Sequence, residues 1–395
     1  MSKISELIKE KCPNGVKYEL LKNICLFKRG QSITIKSLRE GTYPVVAGGQ
    51  KPAAYCSEFN RDYECITISS SGAYAGFVSY WNEKILCTDS FSITSKDKDI
   101  LINKFIFYFL KSKQETIYSK KKGAGIPHVH ISDIDALKIP IPPKEVQEEI
   151  VRILDKFCEL ETKLEEELEA RKKQYEFWLD KTFNRNDVKF VELNSIGEIT
   201  KLAGFEFSKY VNYSDNGTTI ALRGLNVKNG HLILNDVKYL DNSDFSKLKR
   251  SKLYMNDILY TYVGTVGQVG LVDKNNKYYL APNVARIRIT KDEVNPKYIM
   301  YFLLSNIFKK NQLNTLLGNS SMKNITMANI RKFKIPIYSL SEQNKIVSIL
   351  DKFDKLINDI SKGIPAEIEA RKKQYEYYRN KLLSFEELKD EKESI

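Results

Sequence analysis

Cysteine is missing from everything after Cys158, and the six present (Cys12, Cys25, Cys56, Cys65, Cys87 and Cys158) include no Cys-x-x-Cys pair. That pattern argues against a disulfide framework and a structural zinc site, and reads as free thiols in a reducing cytosol. Histidine is scarcer, with three residues. His128 and His130 have no third ligand near them in sequence and His231 is isolated, so polar loops are the better reading than a metal centre. No run of about 18 apolar residues offers a membrane-spanning helix, and no leader pattern opens the chain. The expectation is a cytoplasmic protein that carries no cofactor of its own.

Enzymatic motifs are lacking too. There is no Gly-x-x-x-x-Gly-Lys-Ser/Thr phosphate loop. Gly264–Gly270 has glycines three apart rather than a dinucleotide turn, and reads as a Gly-rich hairpin whose bare backbone lets another strand approach. Asn295-Pro296-Lys297-Tyr298 lacks the second proline of the Asn/Asp-Pro-Pro-Tyr/Phe motif of adenine methyltransferases, and is expected to open a helix. No catalytic residue is assigned.

What the chain does have is a duplication. Glu-Ala-Arg-Lys-Lys-Gln-Tyr-Glu spans Glu169–Glu176 and returns at Glu369–Glu376. Upstream, Lys138-Ile139-Pro140-Ile141 and Ile153-Leu154-Asp155-Lys156-Phe157 match Lys334-Ile335-Pro336-Ile337 and Ile349-Leu350-Asp351-Lys352-Phe353 at an offset of 196, which becomes 200 at the octapeptide. Solenoid repeats run at roughly 20–50 residues. This is instead a duplicated domain-plus-helix module, with a length difference near Lys362-Gly363-Ile364-Pro365. Val188-Lys189-Phe190 echoes Val16-Lys17-Tyr18, Tyr298–Ser305 echoes Phe105–Ser112, and Gly318-Asn319-Ser320-Ser321 takes the place of the Gly123 loop.

Each block reads as short β-runs punctuated by Gly and Pro, then one helix. In the first block that helix covers Asn103–Lys113, with Phe105, Ile106, Phe109 and Leu110 facing the core. The Ile139-Pro140-Ile141-Pro142-Pro143 stop releases a helix from about Lys144 to Phe183, roughly 60 Å long if unbroken. A second begins near Ser341 as N-cap and is interrupted at Gly363-Ile364-Pro365. Apolar seams at Ile153, Phe157, Leu160, Leu164, Leu168 and Tyr175, and at Ile349, Phe353, Leu356, Ile360, Ile368 and Tyr375, predict that the two helices bury each other. Connectivity then makes the pair antiparallel, with a block at either end and an approximate twofold axis between them. The expected fold class is α+β: two similar mixed α/β domains (1–142 and 184–340) separated by two long antiparallel helices forming a coiled coil (143–183 and 341–388), with a charged tail at 389–395.

Charge is unevenly placed. Of the net +13, residues 143–183 contribute −4 and the two non-helical blocks +18. A globular block with such an excess commonly faces phosphate.

The order of block, Ile-Pro-Ile-Pro exit, helix, linker, block, Ile-Pro-Ile exit and helix resembles the specificity subunit of Type I restriction-modification systems, over about residues 14 to 385. The resemblance implies two target recognition domains, each reading one half of a bipartite DNA site. It also implies helical regions that hold two adenine-N6 methyltransferase subunits, which use S-adenosylmethionine, with endonuclease and translocase subunits joining through the complex. Loops are the expected DNA contacts, lysines on phosphate and Arg, Gln, Asn and Ser on base edges. In the first domain these are Lys28, Arg29, Gln31, Ser70, Ser71, Tyr74, Lys121, Lys122, His128 and His130. In the second they are Arg223, Lys228, Tyr262, Thr265, Gln268, Asn319, Ser320, Lys323 and Asn324. Arg171-Lys172-Lys173 and Arg371-Lys372-Lys373 are expected to pair with neighbouring glutamates. The competing reading is a structural coiled-coil assembly protein with ligand-binding end domains, whose ligand affinity would be indifferent to salt.

Overall fold

The computed structural model describes residues 2–34, 38–123, 125–185, 188–317, 324–359 and 362–388. Packing divides the chain into two units, Met1–Glu165 with Glu367–Ile395, and Glu166–Ala366. Among the described residues no helix is long and apolar enough to cross a membrane.

The first unit contains strands β1 (Lys17–Leu20), β2 (Cys25–Arg29), β3 (Tyr43–Val46), β4 (Ala54–Cys56), β5 (Cys65–Ser69), β6 (Val78–Trp81), β7 (Leu86–Cys87) and β8 (Ser90–Ser95), then the helix Asn103–Ser112 and β9 (Lys138–Ile141). They form an antiparallel sheet in the order β2-β8-β5-β6, a small sheet β4-β3-β7 in which β3 and β7 run parallel, and a β1-β9 ladder. The second unit has β10 (Lys189–Glu192), β11 (Gly197–Lys201), β12 (Ile220–Leu222), β13 (Val227–Lys228), β14 (His231–Leu232), β15 (Lys238–Tyr239), β16 (Ile258–Thr261), β17 (Val269–Leu271), β18 (Tyr278–Leu280) and β19 (Val284–Ile289), then the helix Pro296–Leu304 and β20 (Lys334–Ile337). The same three assemblies recur as β11-β19-β16-β17, β15-β12-β18 with its parallel β12-β18 pair, and β10-β20. Prolines sit in β9 and β20, opposite Tyr18 and Phe190. A two-stranded ladder tolerates them because each strand has a free edge.

The first core is made where Phe105, Ile106 and Phe109 press on Ile66, Ile68, Phe91 and Ile93 of the sheet and on Ile150 and Leu154 of the long helix Lys144–Phe183. Full burial of one such side chain stabilises by about 1.5–3 kcal/mol. In the second unit Tyr298, Ile299 and Phe302 do the same against Ile258, Tyr260 and Ile287, with Phe183 from the long helix and Val347 and Leu350 from the helix Leu340–Asn358. Asn295 opens its helix as a cap, accepting from the Lys297 and Tyr298 amides, with Pro296 in the first turn.

A duplicated polar joint locks each domain to its helix. The fully buried Gln147 donates to the carbonyls of Ile100 and Pro142 (2.8 Å each) and accepts from the Ile102 amide at 3.0 Å. Gln343, also fully buried, donates to the carbonyls of Glu293 and Tyr338 and accepts from the Asn295 amide. Two turns on, Asp155 accepts from Lys104 and Tyr108, and Asp351 from Lys297 and Tyr301. Burial and the adjacent carboxylate push both tyrosine hydroxyls well up, so they stay protonated donors.

Each unit holds its own antiparallel helix pair. In the first, Phe157 meets Tyr375 and Tyr378 of the helix Ile364–Leu382, while Lys372 pairs with Glu161 and Glu165. In the second, Tyr175 meets Phe353 and Arg185 pairs with Glu342. Arg171, Lys172, Arg371 and Lys373 pair with glutamates three or four residues away.

The seam itself differs from expectation at three positions. Leu160, Ile349 and Leu356 are 40%, 52% and 37% exposed, whereas Gln343, Val347, Leu350 and Ile357 are buried. Ile349 follows Val347 by two residues, about 200° around a helix, so it points away from the packed stripe. Steps of three and four fit more than one stripe, and the demand of the domain core selects between them. Ile153, Phe157, Leu164, Leu168 and Tyr175 are half-buried, as is Phe353, Ile368 is buried, and Ile360 lies outside the described residues. The N-cap also shifts: Ser339, not Ser341, accepts from the Glu342 amide. The interruption expected at Gly363-Ile364-Pro365 is present: the second helical region is two helices, Leu340–Asn358 and Ile364–Leu382.

The C-terminal segment closes the first unit. Leu388 donates to the Val16 carbonyl, Val16 donates to Glu386, and the Tyr18 hydroxyl donates to Phe385.

His231 in β14 reaches the second unit's helix, with Nε2 2.9 Å from Asp354 Oδ1. That hydrogen bond raises the histidine above its ordinary 6.5, against opposing contributions from burial and Lys297. A raised pKa means that the folded state binds the proton more tightly. The contribution is therefore fully present below about pH 6.5 and is lost as pH climbs through the elevated value. NMR titration of the imidazole is expected to show a midpoint above 6.5 that falls in Asp354→Asn; equal midpoints in the two proteins would rule the contact out.

Candidate nucleic-acid interface

In the first unit the end of β2, the β5–β6 turn, the β7–β8 turn and residues 129–131 converge on a cleft of about 490 Å³. Arg29, Gln31, Ser70, Asp89 and His130 line it. The strand carrying Arg29 is pinned from behind by Arg61, only 8% exposed, which donates to the carbonyls of Lys28 and Arg29. Asn60 holds the Gln31 side chain and both backbone groups of Cys87.

In the second unit a cleft of about 590 Å³ is lined by Tyr213, Arg223, Lys228, Thr265, Gln268 and Asn283. Buried Asn226 accepts from the Arg223 amide and donates to the carbonyls of Ile233 and Asp236, which holds the loop rigid. Thr261 accepts from the Gln268 amide and closes the Gly-rich turn of the β16–β17 hairpin. A neighbouring pocket of about 500 Å³ gathers Lys201, Arg250, Arg331, Tyr262 and Asn324.

The two sites share one backbone plan. The Ser70 amide donates to Asp89 and the Val129 amide to Ser70; the Tyr262 amide donates to Asn283 and the Ile325 amide to Tyr262. Ser71 bridges to His128 as Val263 does to Asn324. Gly72 (φ +82°) and Gly264 (φ +79°) take the left-handed region at matching points of the turn, and a Cβ at either would meet nothing within 4 Å. On this common frame the side chains differ: Ser70, Ser71, Asp89 and His128 in one, Tyr262, Val263, Asn283 and Asn324 in the other.

Of the residues expected from sequence, Arg29, Gln31, Ser70 and His130 come together in the first cleft, and Arg223, Lys228, Thr265 and Gln268 in the second. Tyr262 and Asn324 fall in the adjoining pocket. Ser71 and His128 join the first cleft's rim, and the His128 and His130 rings stack 6.1 Å apart. Lys28 and Tyr74 are exposed outside the cleft lining; Lys121 donates to the Ala73 carbonyl, Lys122 pairs with Asp133, and Arg223 is partly engaged by Asp236. Asn319, Ser320 and Lys323 lie outside the described residues. Asp89, Asn283, Lys201, Arg250 and Arg331 were not legible from sequence, because Asp89, Asn283 and Lys201 are placed by strand pairing distant in sequence, and Arg250 and Arg331 by the helical turn Lys249–Ser251 and the helix Met327–Arg331 packing on β11.

Comparison with known proteins finds relatives along most of the chain. The family model for the Type I restriction modification DNA specificity domain matches residues 13–170 and 185–370. The chain is 31% identical over 346 residues to a putative type I restriction enzyme specificity subunit of Haemophilus influenzae, covering 84% of this chain and 85% of that one. It is 31% identical to an Escherichia coli type I restriction enzyme specificity subunit, covering 74% and 73%. Among solved structures, the S subunit of a type I restriction-modification system from M. genitalium aligns with a TM-score of 0.60 at 17% identity, covering 93% of this chain and 96% of that one, and so shares the fold. By the span of these matches, the chain belongs to the Type I restriction-modification DNA specificity family.

Proposed function

We propose that the chain is the sequence-reading subunit of a type I restriction-modification complex, with each cleft addressing one half of a bipartite duplex site. The observation that carries this is the pair of matched loop clusters: one backbone frame, used twice, lined by different donors and acceptors. Two copies of one frame place their contacts alike, and unlike side chains then select unlike bases. The basic excess of the domains supplies the sequence-independent attraction to phosphate, with Lys201, Arg250 and Arg331 well placed for it. The helical regions separate the half-sites and dock two methyltransferase subunits, which bring S-adenosylmethionine. Endonuclease and translocase subunits join through that core. The chain itself performs no chemistry.

The test is selection from a pool of randomised duplexes by the purified full chain, alone and with a methyltransferase subunit. The expected motif is two short fixed blocks separated by a constant number of unspecified base pairs, with affinity falling steeply as salt rises. A single contiguous motif, or binding indifferent to salt, overturns the reading.

A further inference from the structure

Asp89 is an exposed carboxylate at the mouth of the first cleft, and among the described residues it makes no ion pair. The Ser71 hydroxyl donates to its Oδ2, and Gly48 packs its bare backbone against the same oxygen. This satisfies Ser71's one hydrogen, and among the described residues Asp89 Oδ1 has no hydrogen-bond partner. The Ser71–Asp89 pair therefore offers lone pairs and no donor. A free negative charge on a surface that approaches a polyanion is repelled by every phosphate, so it is tolerable where it meets a donor on a base.

Resting on the function proposed above, we propose that Asp89, with Ser71, selects cytosine at one position of the half-site read by the first domain. In the major groove guanine shows two acceptors and thymine an acceptor and a methyl. Adenine sets an acceptor beside its amino group, while cytosine shows its N4 amino donor alone. An acceptor-only pair meets repulsion from guanine and thymine; adenine's amino group can donate to it but sets the N7 acceptor against the second oxygen, so cytosine alone gives a hydrogen bond with no opposed acceptor. The second domain supplies an independent indication. The residue at the equivalent backbone position is Asn283, which also lines its cleft and carries both a donor and an acceptor. The same point in the frame thus presents a base-competent side chain of different chemistry in each domain.

The experiment is duplex selection by full-length wild type, Asp89→Asn, Asp89→Ala and Ser71→Ala, with circular dichroism to verify folding. Wild type is expected to prefer cytosine at one position about 10- to 100-fold, the discrimination of one good base contact. Asp89→Ala should lose that preference and Asp89→Asn should move it toward adenine. In both, the other half of the motif stays unchanged. Ser71→Ala should weaken the cytosine preference but retain it. If both Asp89 variants keep the wild-type motif, or if Ser71→Ala erases the preference as fully as Asp89→Ala does, Asp89 only supports its loop and the assignment fails while the bipartite reading stands. Absence of any motif with wild type defeats both.

Discussion

Replacing Gln147 by alanine is expected to destabilise the first unit by about 3–5 kcal/mol, a large effect for one uncharged side chain. The change strands the Ile102 amide and the carbonyls of Ile100 and Pro142, which Gln147 alone was satisfying from the helix side. Each buried backbone group left without a partner costs about 1–3 kcal/mol, with some recovery as water enters. Hydrogen exchange is the right measurement because a two-unit chain need not unfold in one step. Protection should fall around residues 98–112 and hold in the second unit. Gln343→Ala should produce the mirror result around residues 291–304. Uniform loss of protection throughout the chain in either variant would contradict the view that each joint serves its own domain.

Phe183→Ala is expected to cost about 3–5 kcal/mol, the usual range for removing a buried aromatic ring. Phe183 ends the long helix, is 2% exposed, and stacks edgewise or tilted on Tyr298 and Phe302 at 5.5 and 5.2 Å. Those rings sit on the helix Pro296–Leu304, so the loss loosens the seat of the long helix in the second core. Denaturant unfolding followed by fluorescence of Trp178, about one and a half turns upstream on the same helix, would report it. A change below about 1 kcal/mol would mean that the cavity collapses or that the helix end is not seated as described. Phe183→Leu should recover most of the loss, since it restores apolar volume at the same place.

The duplication was readable because local rules wrote it twice. The Ile-Pro-Ile exits became β9 and β20, the aromatic stripe at Phe105 and Phe109 became a core helix, and Gly264–Gly267 became the turn of a hairpin. Candidates with obvious donors beside turns, such as Arg29 at the end of β2 and half-buried Gln268 in the β16–β17 turn, could be named for the same reason. What sequence could not resolve was competition between alternatives of nearly equal local merit. Ile349 and Val347 are both apolar and both helical, and only the pressure of Tyr298 and Ile299 decides that Val347 goes inward. Gln147 and Asp155 look like solvated helix residues until Ile100, Ile102 and Tyr108 are brought against them. Asp89 and Asn283 enter their clefts because β8 and β19 run back beside β5 and β16, a long-range pairing that no short motif announces.

The two glycines at the turn tips carry a consequence for how such a reader changes its target. Because space around Gly72 and Gly264 is vacant, a side chain added there, beside the residues that line each cleft, would meet no neighbouring atom, and the obstacle is the left-handed backbone alone. Asparagine is the residue that adopts this conformation most readily after glycine, and it brings a donor and an acceptor suited to adenine. One substitution could thus append an extra letter to a recognised word without rebuilding the frame that spells the others.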